Sequence, residues 1–237
     1  MFNSELTQKL TKLKTPFYFY DLDLLDKTIL SLKESLDPNY SVYYAIKANN
    51  NSKIIKLIKD HDLGIDAVSS EEINKSLNNS IKPKKIVFAG VGKTKDEIIF
   101  AIRKKIYLFN CESFDEISLI DKISNELNVK TKIAIRLNPN IDSRSHKYIK
   151  TGMFDSKFGI QIDHLAEILE KIKKLNHIDL KGYHFHLGSQ IDDLGVFRKL
   201  CKVSNEMNIY LKNKNFNITD INLGGGLGIN YKEPDLN

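Results

Sequence analysis

Three short segments carry residue types that could perform chemistry together. The first, Val42 to Asn49, is typical of a buried β-strand and has a single lysine, Lys47, near its carboxyl end. Burial removes water from an ammonium group and favours the neutral amine, which is the nucleophile that reacts with an aldehyde. The alternative is a lysine whose stem crosses apolar surface while its head reaches solvent. The strand context alone leaves both interpretations open.

The second segment, Gly182 to Gln190, contains two histidines at period-two spacing. His184 and His186 therefore face the same side of a strand, with His186 nearer its carboxyl end. Such a pair could bind zinc, but zinc needs further ligands that converge on the same point. The other histidines fall in predicted helices, their flanks or a loop: His61, His146, His164 and His177. We therefore expect no metal, and His184 is also compatible with a hydrogen-bonded core histidine.

The third segment places Gly224, Gly225 and Gly226 directly after a predicted strand. Glycines at such a point let backbone N–H groups approach an anion closely, and phosphate is the usual anion. A tight connection would also explain them. In a barrel, the loops after the last strands often hold phosphate, which favours a phosphate site here.

Alternating elements must position these segments. Short β-branched and aromatic runs alternate with helical segments, which is the pattern of parallel strands joined by crossover helices. The predicted strands are Phe17–Asp21, Val42–Ala48, Gly64–Ser69, Lys85–Gly90, Ile106–Asn110, Thr131–Asn138, Leu180–Gly188 and Ile218–Gly224. The predicted helices are Leu22–Leu36, Ser52–Asp60, Ser70–Asn78, Lys95–Lys104, Ser113–Leu127, His164–Leu175 and Val196–Asn213. The long irregular segment 139–158 is typical of a functional loop.

The composition is that of an ordinary globular chain. Of 237 residues, 41% are hydrophobic and 28% charged, which excludes a mainly disordered protein. No stretch reaches the roughly 20 apolar residues that cross a bilayer. The two cysteines, Cys111 and Cys201, form no C-x-x-C pair. We expect a cytoplasmic protein with no membrane partner.

The net charge of +6 comes mostly from lysines scattered along helix-like segments. Nucleic-acid-binding proteins instead concentrate their basic residues in a patch or stripe. We therefore expect no nucleic-acid partner.

Several motifs, in order and spacing, resemble those of the diaminopimelate decarboxylases, a family of fold-type III pyridoxal-phosphate enzymes. They are Thr15-Pro16-Phe17, Tyr44-Ala45-Ile46-Lys47-Ala48-Asn49, Gly64-Ile65-Asp66-Ala67-Val68-Ser69, Arg136-Leu137-Asn138-Pro139, Thr151-Gly152 with Ser156-Lys157-Phe158-Gly159, His186-Leu187-Gly188-Ser189-Gln190, and Gly224-Gly225-Gly226-Leu227-Gly228. The resemblance implies an α/β fold, a (β/α)₈ TIM-type barrel of the alanine racemase-like fold. It also implies a homodimer that converts meso-diaminopimelate to L-lysine.

The resemblance also implies a role for each site residue. Lys47 would be the Schiff-base lysine of pyridoxal 5'-phosphate, and His186 would stack on its pyridine ring. Asp66 and Arg136 would line the floor near Lys47. The phosphate cradle would consist of Ser189, Gly224, Gly225 and Gly226. Catalysis would rest on Lys47 and His186, and Cys111 receives no catalytic role.

Compared with this family, the sequence is expected to be incomplete. We expect residues 1–21 to belong to a second, β-rich domain and residues 22–237 to form a barrel of about seven strands where the fold needs eight. The last strand and the rest of the second domain would be missing. The chain alone is therefore expected to be inactive.

Two alternatives to diaminopimelate decarboxylation stay open. One is a related decarboxylase of ornithine, arginine or carboxynorspermidine, because the residues that separate these substrates lie largely outside this sequence. The other is a non-catalytic, single-domain barrel that binds pyridoxal phosphate, which would suit the length of 237 residues.

Overall fold

The structure, a computed structural model, describes residues 4–139, 141 and 158–232, and the chain divides into two units, residues 1–41 and 42–237. The first unit contains two helices, α1 (Ser4–Leu10) and α2 (Leu22–Glu34). Helix α2 begins after Asp21, whose side chain accepts a hydrogen bond from the Leu24 N–H (2.9 Å). An aspartate in this position satisfies an N–H group that the helix itself leaves unpaired.

The sequence predicts a strand at Phe17–Asp21, and the structure has none there. The aromatic side chains of this segment are exposed, Tyr18 to 89% and Tyr20 to 48%. A strand requires a neighbouring chain that completes its backbone hydrogen bonds, and aromatic propensity alone cannot supply one. The assignment of residues 1–21 to a separate domain stays a prediction.

The second unit alternates strands with helices. Its strands are β1 (Tyr43–Ala45), β2 (Gly64–Ala67), β3 (Ile86–Phe88), β4 (Leu108–Cys111), β5 (Thr131–Asn138), β6 (Ile160–Gln161), β7 (Ile178–His184) and β8 (Asp220–Asn222). Its helices are α3 (Ser52–Asp60), α4 (Ser70–Asn78), α5 (Lys95–Arg103), α6 (Phe114–Glu126), α7 (Leu165–Ile172) and α8 (Leu194–Asn213). The bounds of α3, α4 and β5 are those that the sequence predicts.

All strand pairs are parallel, in the order β1-β2-β3-β4-β5-β7-β8, and the two-residue β6 pairs with the end of β5. The seven strands of the main order confirm the predicted incomplete parallel barrel. Strand β6 is not predicted from the sequence, because two residues are too few to show the alternation of apolar and polar residues that marks a strand.

The core lies between the sheet and the helices and is built largely from isoleucine. Ile65 and Ile86 on the strands and Ile55, Ile73 and Ile98 on the helices are fully buried. Each such side chain stabilises the fold by about 1.5–3 kcal/mol. In the part of the chain that the structure describes, no helix is both long and apolar enough to cross a membrane.

The sheet curves so that the amino-terminal end of β8 approaches that of β4. Tyr107, just before β4, donates a hydrogen bond to Asp220 Oδ1 at the start of β8 (2.5 Å). Burial and the nearby Asp220 charge raise the pKa of Tyr43 in β1. This curvature brings the opposite, carboxyl-terminal ends of the strands around one site.

Candidate active site

The predicted site residues all lie at or beyond the middle of their strands, toward the carboxyl-terminal end of the sheet. Asp66 and Arg136 belong to β2 and β5, and Lys47 follows β1. His186 and Ser189 follow β7, and the three glycines follow β8. In barrels with crossover helices this end of the sheet is where active sites are built.

Lys47 lies in a different environment from the one that the sequence predicts. Strand β1 ends at Ala45, and Ile46–Ala48 form a 3₁₀ turn. Ile46 takes the fully buried position of this turn, and Lys47 is exposed. The predicted strand Val42–Ala48 is therefore shorter in the structure, because the turn carries Lys47, and of the two interpretations left open for this lysine the exposed head fits. The Lys47 charge still reaches the site, since it lowers the pKa values of both Asp66 and His186.

Asp66 is a largely buried carboxyl group with a perturbed pKa. Burial raises its pKa to about 6, and the positive charges of Lys47, Lys93 and Arg136 oppose that rise. Its Oδ1 atom is buried and has no hydrogen-bond partner among the described residues. A buried acceptor of this kind is costly unless a ligand or an ordered water completes it.

The two histidines of β7 and its following loop lie beside Arg136. In the ladder His184 is opposite Arg136. Burial, Arg136, His186 and Lys93 lower the pKa of His184 to about 3, and burial, Arg136 and Lys47 lower that of His186. Both rings are therefore neutral at neutral pH. His184 is buried, which fits a core histidine, and its Nδ1 has no partner among the described residues.

The loops after β7 and β8 are bound to each other. The Ile191 N–H donates to the Gly226 carbonyl (2.9 Å), and the Gly228 N–H donates to the Ile191 carbonyl (3.0 Å). The Gln190 side chain adds two hydrogen bonds to the Ile229 backbone, each of 3.1 Å. This pairing places Ser189 next to the glycine turn.

The glycine turn leaves room that a side chain would fill. Gly224 and Gly226 have φ values of +76° and +98°, and a Cβ on either would collide with the backbone of the β7 loop. A Cβ on Gly225 would meet nothing within 4 Å. The turn is thus both a tight connection and an open backbone surface that an anion can approach.

The comparisons with known proteins agree with this geometry. Residues 22–237 match the family model described as pyridoxal-dependent decarboxylase, pyridoxal binding domain. The chain belongs to this family. It is 37% identical over 229 residues to a diaminopimelate decarboxylase of Bacteroides thetaiotaomicron. The matched region covers 96% of this chain and 59% of that relative.

Two solved structures are also similar. A Helicobacter pylori diaminopimelate decarboxylase complexed with L-lysine has a TM-score of 0.85 at 37% identity, over 95% of this chain and 58% of that one. The arginine decarboxylase of a Paramecium bursaria Chlorella virus has a TM-score of 0.73 at 26% identity, over 88% and 53% of the two chains. The chain therefore spans little more than half the length of the decarboxylases that it matches.

The cofactor of the family is pyridoxal phosphate, and the residues present fit it. Lys47 offers a primary amine to an aldehyde, and the turn at Gly225 has open space for a phosphate. Buried atoms without partners among the described residues lie toward the same end of the sheet: Asp66 Oδ1, Asn110 Oδ1 and Nδ2, Glu112 Oε2 and His184 Nδ1. A polar cofactor with its bound water is the kind of ligand that such atoms require.

Of the motif Ser156-Lys157-Phe158-Gly159, the described residues include Phe158 and Gly159. Thr151, Gly152, Ser156 and Lys157 lie outside the described residues. The Phe158 ring lies 5.7 Å from the Arg136 guanidinium carbon. Gly159 has a φ of +95°, and a Cβ there would press on the Arg136 backbone. The end of this motif therefore packs against a predicted site residue.

A buried charge network beside Arg136 is not predicted by the sequence motifs. Arg136 donates to Glu112 (2.6 Å) and Lys93 pairs with Glu116 (2.7 Å), and all four side chains are nearly buried. Glu116 lies in the first turn of α6, where its N–H donates to Ser113 Oγ at the N-cap of that helix. The overlooked signal was a strand arginine, which needs a counter-charge from a neighbouring strand end. The described residues contain no group of three or more histidine, cysteine or carboxylate side chains that could hold a metal.

Proposed function

We propose that the protein containing this chain uses pyridoxal phosphate to decarboxylate meso-diaminopimelate to L-lysine. One observation carries the proposal: an exposed primary amine, a neutral imidazole and an open glycine turn converge on one end of the barrel. The names of the relatives support the substrate, and the L-lysine in the Helicobacter pylori structure is the product of this reaction.

Lys47 is proposed to hold the cofactor's aldehyde carbon. The structure contains a second lysine near Asp66, Lys93, but its ammonium donates to Glu116, to the Gly90 carbonyl and to the Asn110 carbonyl at 2.7–2.9 Å. These three acceptors occupy all three of its N–H groups. Lys47 is therefore the better placed amine.

The other residues would orient the cofactor and set the charge around it. The neutral His186 ring would lie against the pyridine ring, and Ser189 and Gly224–Gly226 would bind the phosphate. Asp66, with a pKa of about 6, is mainly a carboxylate at pH 7 and balances the charge of Lys47. Arg136 would line the floor of the site. When bound, the cofactor withdraws the electron pair that carbon dioxide leaves behind.

The test of this function is carbon dioxide release from a panel of amino acids. The protein that contains this chain is incubated with pyridoxal phosphate and, separately, with meso-diaminopimelate, ornithine, arginine, lysine or carboxynorspermidine. We expect kcat/KM for diaminopimelate to exceed the others by at least about 100-fold, because a site built for a second charged group rejects analogues that lack it.

The same panel separates the alternatives. A preference for any of the other amino acids would make that compound, and not diaminopimelate, the proposed substrate. The similarity to a viral arginine decarboxylase makes arginine the second candidate. Cofactor binding without release from any amino acid would favour a non-catalytic barrel.

We further infer that the 237-residue chain by itself binds the cofactor but does not turn over substrate. This chain covers 59% of the relative from Bacteroides, which therefore extends well beyond the matched portion. Parallel assays of the 237-residue chain and of a longer protein that includes it would check this, and equal turnover would contradict it. Homodimer formation and a cytoplasmic location also stay predictions, and sedimentation of the longer protein would check the former.

A further inference from the structure

Arg136 is held from one side by an acidic residue that the proposed function does not use. Its Nη1 donates to Glu112 Oε1 at 2.6 Å, and the side chains are 11% and 7% exposed. The second oxygen of Glu112, Oε2, is buried without a partner among the described residues. A carboxylate buried to this extent is retained only when its charge is compensated.

Glu112 is itself fixed by a second buried ion pair. Its N–H donates to Glu116 Oε2 (2.9 Å), while Glu116 Oε1 accepts from Lys93 (2.7 Å). Lys93 also donates to the carbonyls of Gly90 and Asn110. The backbone from which the Glu112 carboxylate extends is therefore anchored to the loop after β3.

Asp66 is a second acidic residue of the site. The Arg136 charge lowers its pKa, but less than the charges of Lys47 and Lys93 do. Asp66 Oδ1 nevertheless has no hydrogen-bond partner among the described residues. The guanidinium pairs with Glu112 instead, and Phe158 lies across it at 5.7 Å.

We propose that Glu112 is a positioning residue for cofactor binding: through its buried ion pair it holds the Arg136 guanidinium in the orientation in which the cofactor meets it. This inference rests on the proposed use of pyridoxal phosphate. Without the Glu112 charge, the guanidinium loses its buried partner and is no longer held in that orientation.

The test is a double-mutant cycle read out as the dissociation constant of pyridoxal phosphate. Glu112→Gln keeps the shape and an acceptor oxygen but removes the charge, and Arg136→Met removes the guanidinium. We expect Glu112→Gln to weaken binding by about tenfold, the lower end of what outer-shell changes cost at metal sites. In the Arg136→Met background, the same substitution is expected to change the dissociation constant by less than about twofold.

Tyr183→Phe is the matched control. The Tyr183 hydroxyl is buried and donates to the Ser204 carbonyl of α8 (2.7 Å), on the helix side of the sheet. Its loss is expected to lower the melting temperature without changing the dissociation constant. If Glu112→Gln does not fold, Glu112→Asp replaces it in the cycle, since this variant keeps the charge but is one methylene too short to hold Arg136.

Each outcome decides the inference. The inference is supported if Glu112→Gln weakens cofactor binding in the unsubstituted protein but does not weaken it further in the Arg136→Met background. Two results overturn it: unchanged binding with a lowered melting temperature, as for Tyr183→Phe, shows a purely structural role, and additive losses show that Glu112 does not act through Arg136. Failure of the unsubstituted protein to bind pyridoxal phosphate contradicts the proposed function itself and is recognised before any variant is compared.

Discussion

Lys47→Ala is expected to abolish the visible absorption band of the bound cofactor and to lower kcat by at least ~10³-fold, or ~4 kcal/mol of transition-state stabilisation. The physical reason is that the variant loses the amine proposed to hold the cofactor covalently. Lys93 cannot replace it, because its ammonium is 1% exposed and hydrogen-bonded to three acceptors. Absorption spectra and carbon dioxide release, measured on the same preparation, check both parts.

Two further variants distinguish the loss of the Lys47 amine from the loss of its positive charge. Lys47→Arg keeps a positive charge beside Asp66 and His186, but a guanidinium stays protonated and is a poor nucleophile, so it is expected to fail like alanine. Lys56→Ala, at an exposed position on α3, is expected to behave like the unsubstituted protein. An absorption band and turnover retained in Lys47→Ala would show that another residue holds the cofactor.

His184→Phe is expected to make the protein without cofactor more resistant to acid. The pKa of His184 falls from 6.5 to about 3 in the folded state, so the unfolded chain binds the proton more readily. Its stabilising effect is therefore complete above pH 6.5 and is lost as the pH falls toward 3. Between pH 7.5 and 4.5 this loss is about 2.5 kcal/mol.

Asp66 changes stability in the opposite direction. Its pKa rises from 3.8 to about 6, so the folded state holds the proton more tightly and stability increases as the pH falls from 6 toward 4. Over the same interval this gain is about 2 kcal/mol, which nearly cancels the loss from His184. In the unsubstituted protein, the combined contribution of His184 and Asp66 to the free energy of unfolding is thus expected to change little between pH 7.5 and 4.5.

Urea unfolding at pH 7.5 and 4.5 would reveal the two opposing effects. Relative to the unsubstituted protein, His184→Phe is expected to gain about 2.5 kcal/mol on acidification, and Asp66→Asn to lose about 2 kcal/mol. Tyr183→Phe, which removes no group that titrates near this range, serves as the control. An identical pH dependence in all four proteins would show that neither group is perturbed as the structure indicates.

The sequence by itself predicted the elements well where they obey a local rule. The helix Ser52–Asp60 and the strand Thr131–Asn138 have the predicted bounds, because each has a clear period over eight or more residues. The glycine turn was also predictable, because only glycine combines a positive φ with a close approach of two loops at Gly224 and Gly226.

Phe17–Asp21 and Lys47 show where that local rule ends. Both lie in runs of strand-like composition, yet the first has no strand and the second lies in a 3₁₀ turn. Strand formation depends on a partner chain, and burial depends on what covers a residue. Neither is a property of the residue's immediate neighbours in sequence.

The amino-acid sequence therefore determined the barrel class and placed the predicted site segments at the carboxyl ends of the strands. Only the tertiary structure decided which charges pair. Glu112 and Arg136 are 24 residues apart, as β4 and β5 are joined through α6, and Lys93 and Glu116 are 23 apart. Such pairs form because parallel strands bring distant residues to one edge, and the low exposure of that edge makes each unpaired charge costly.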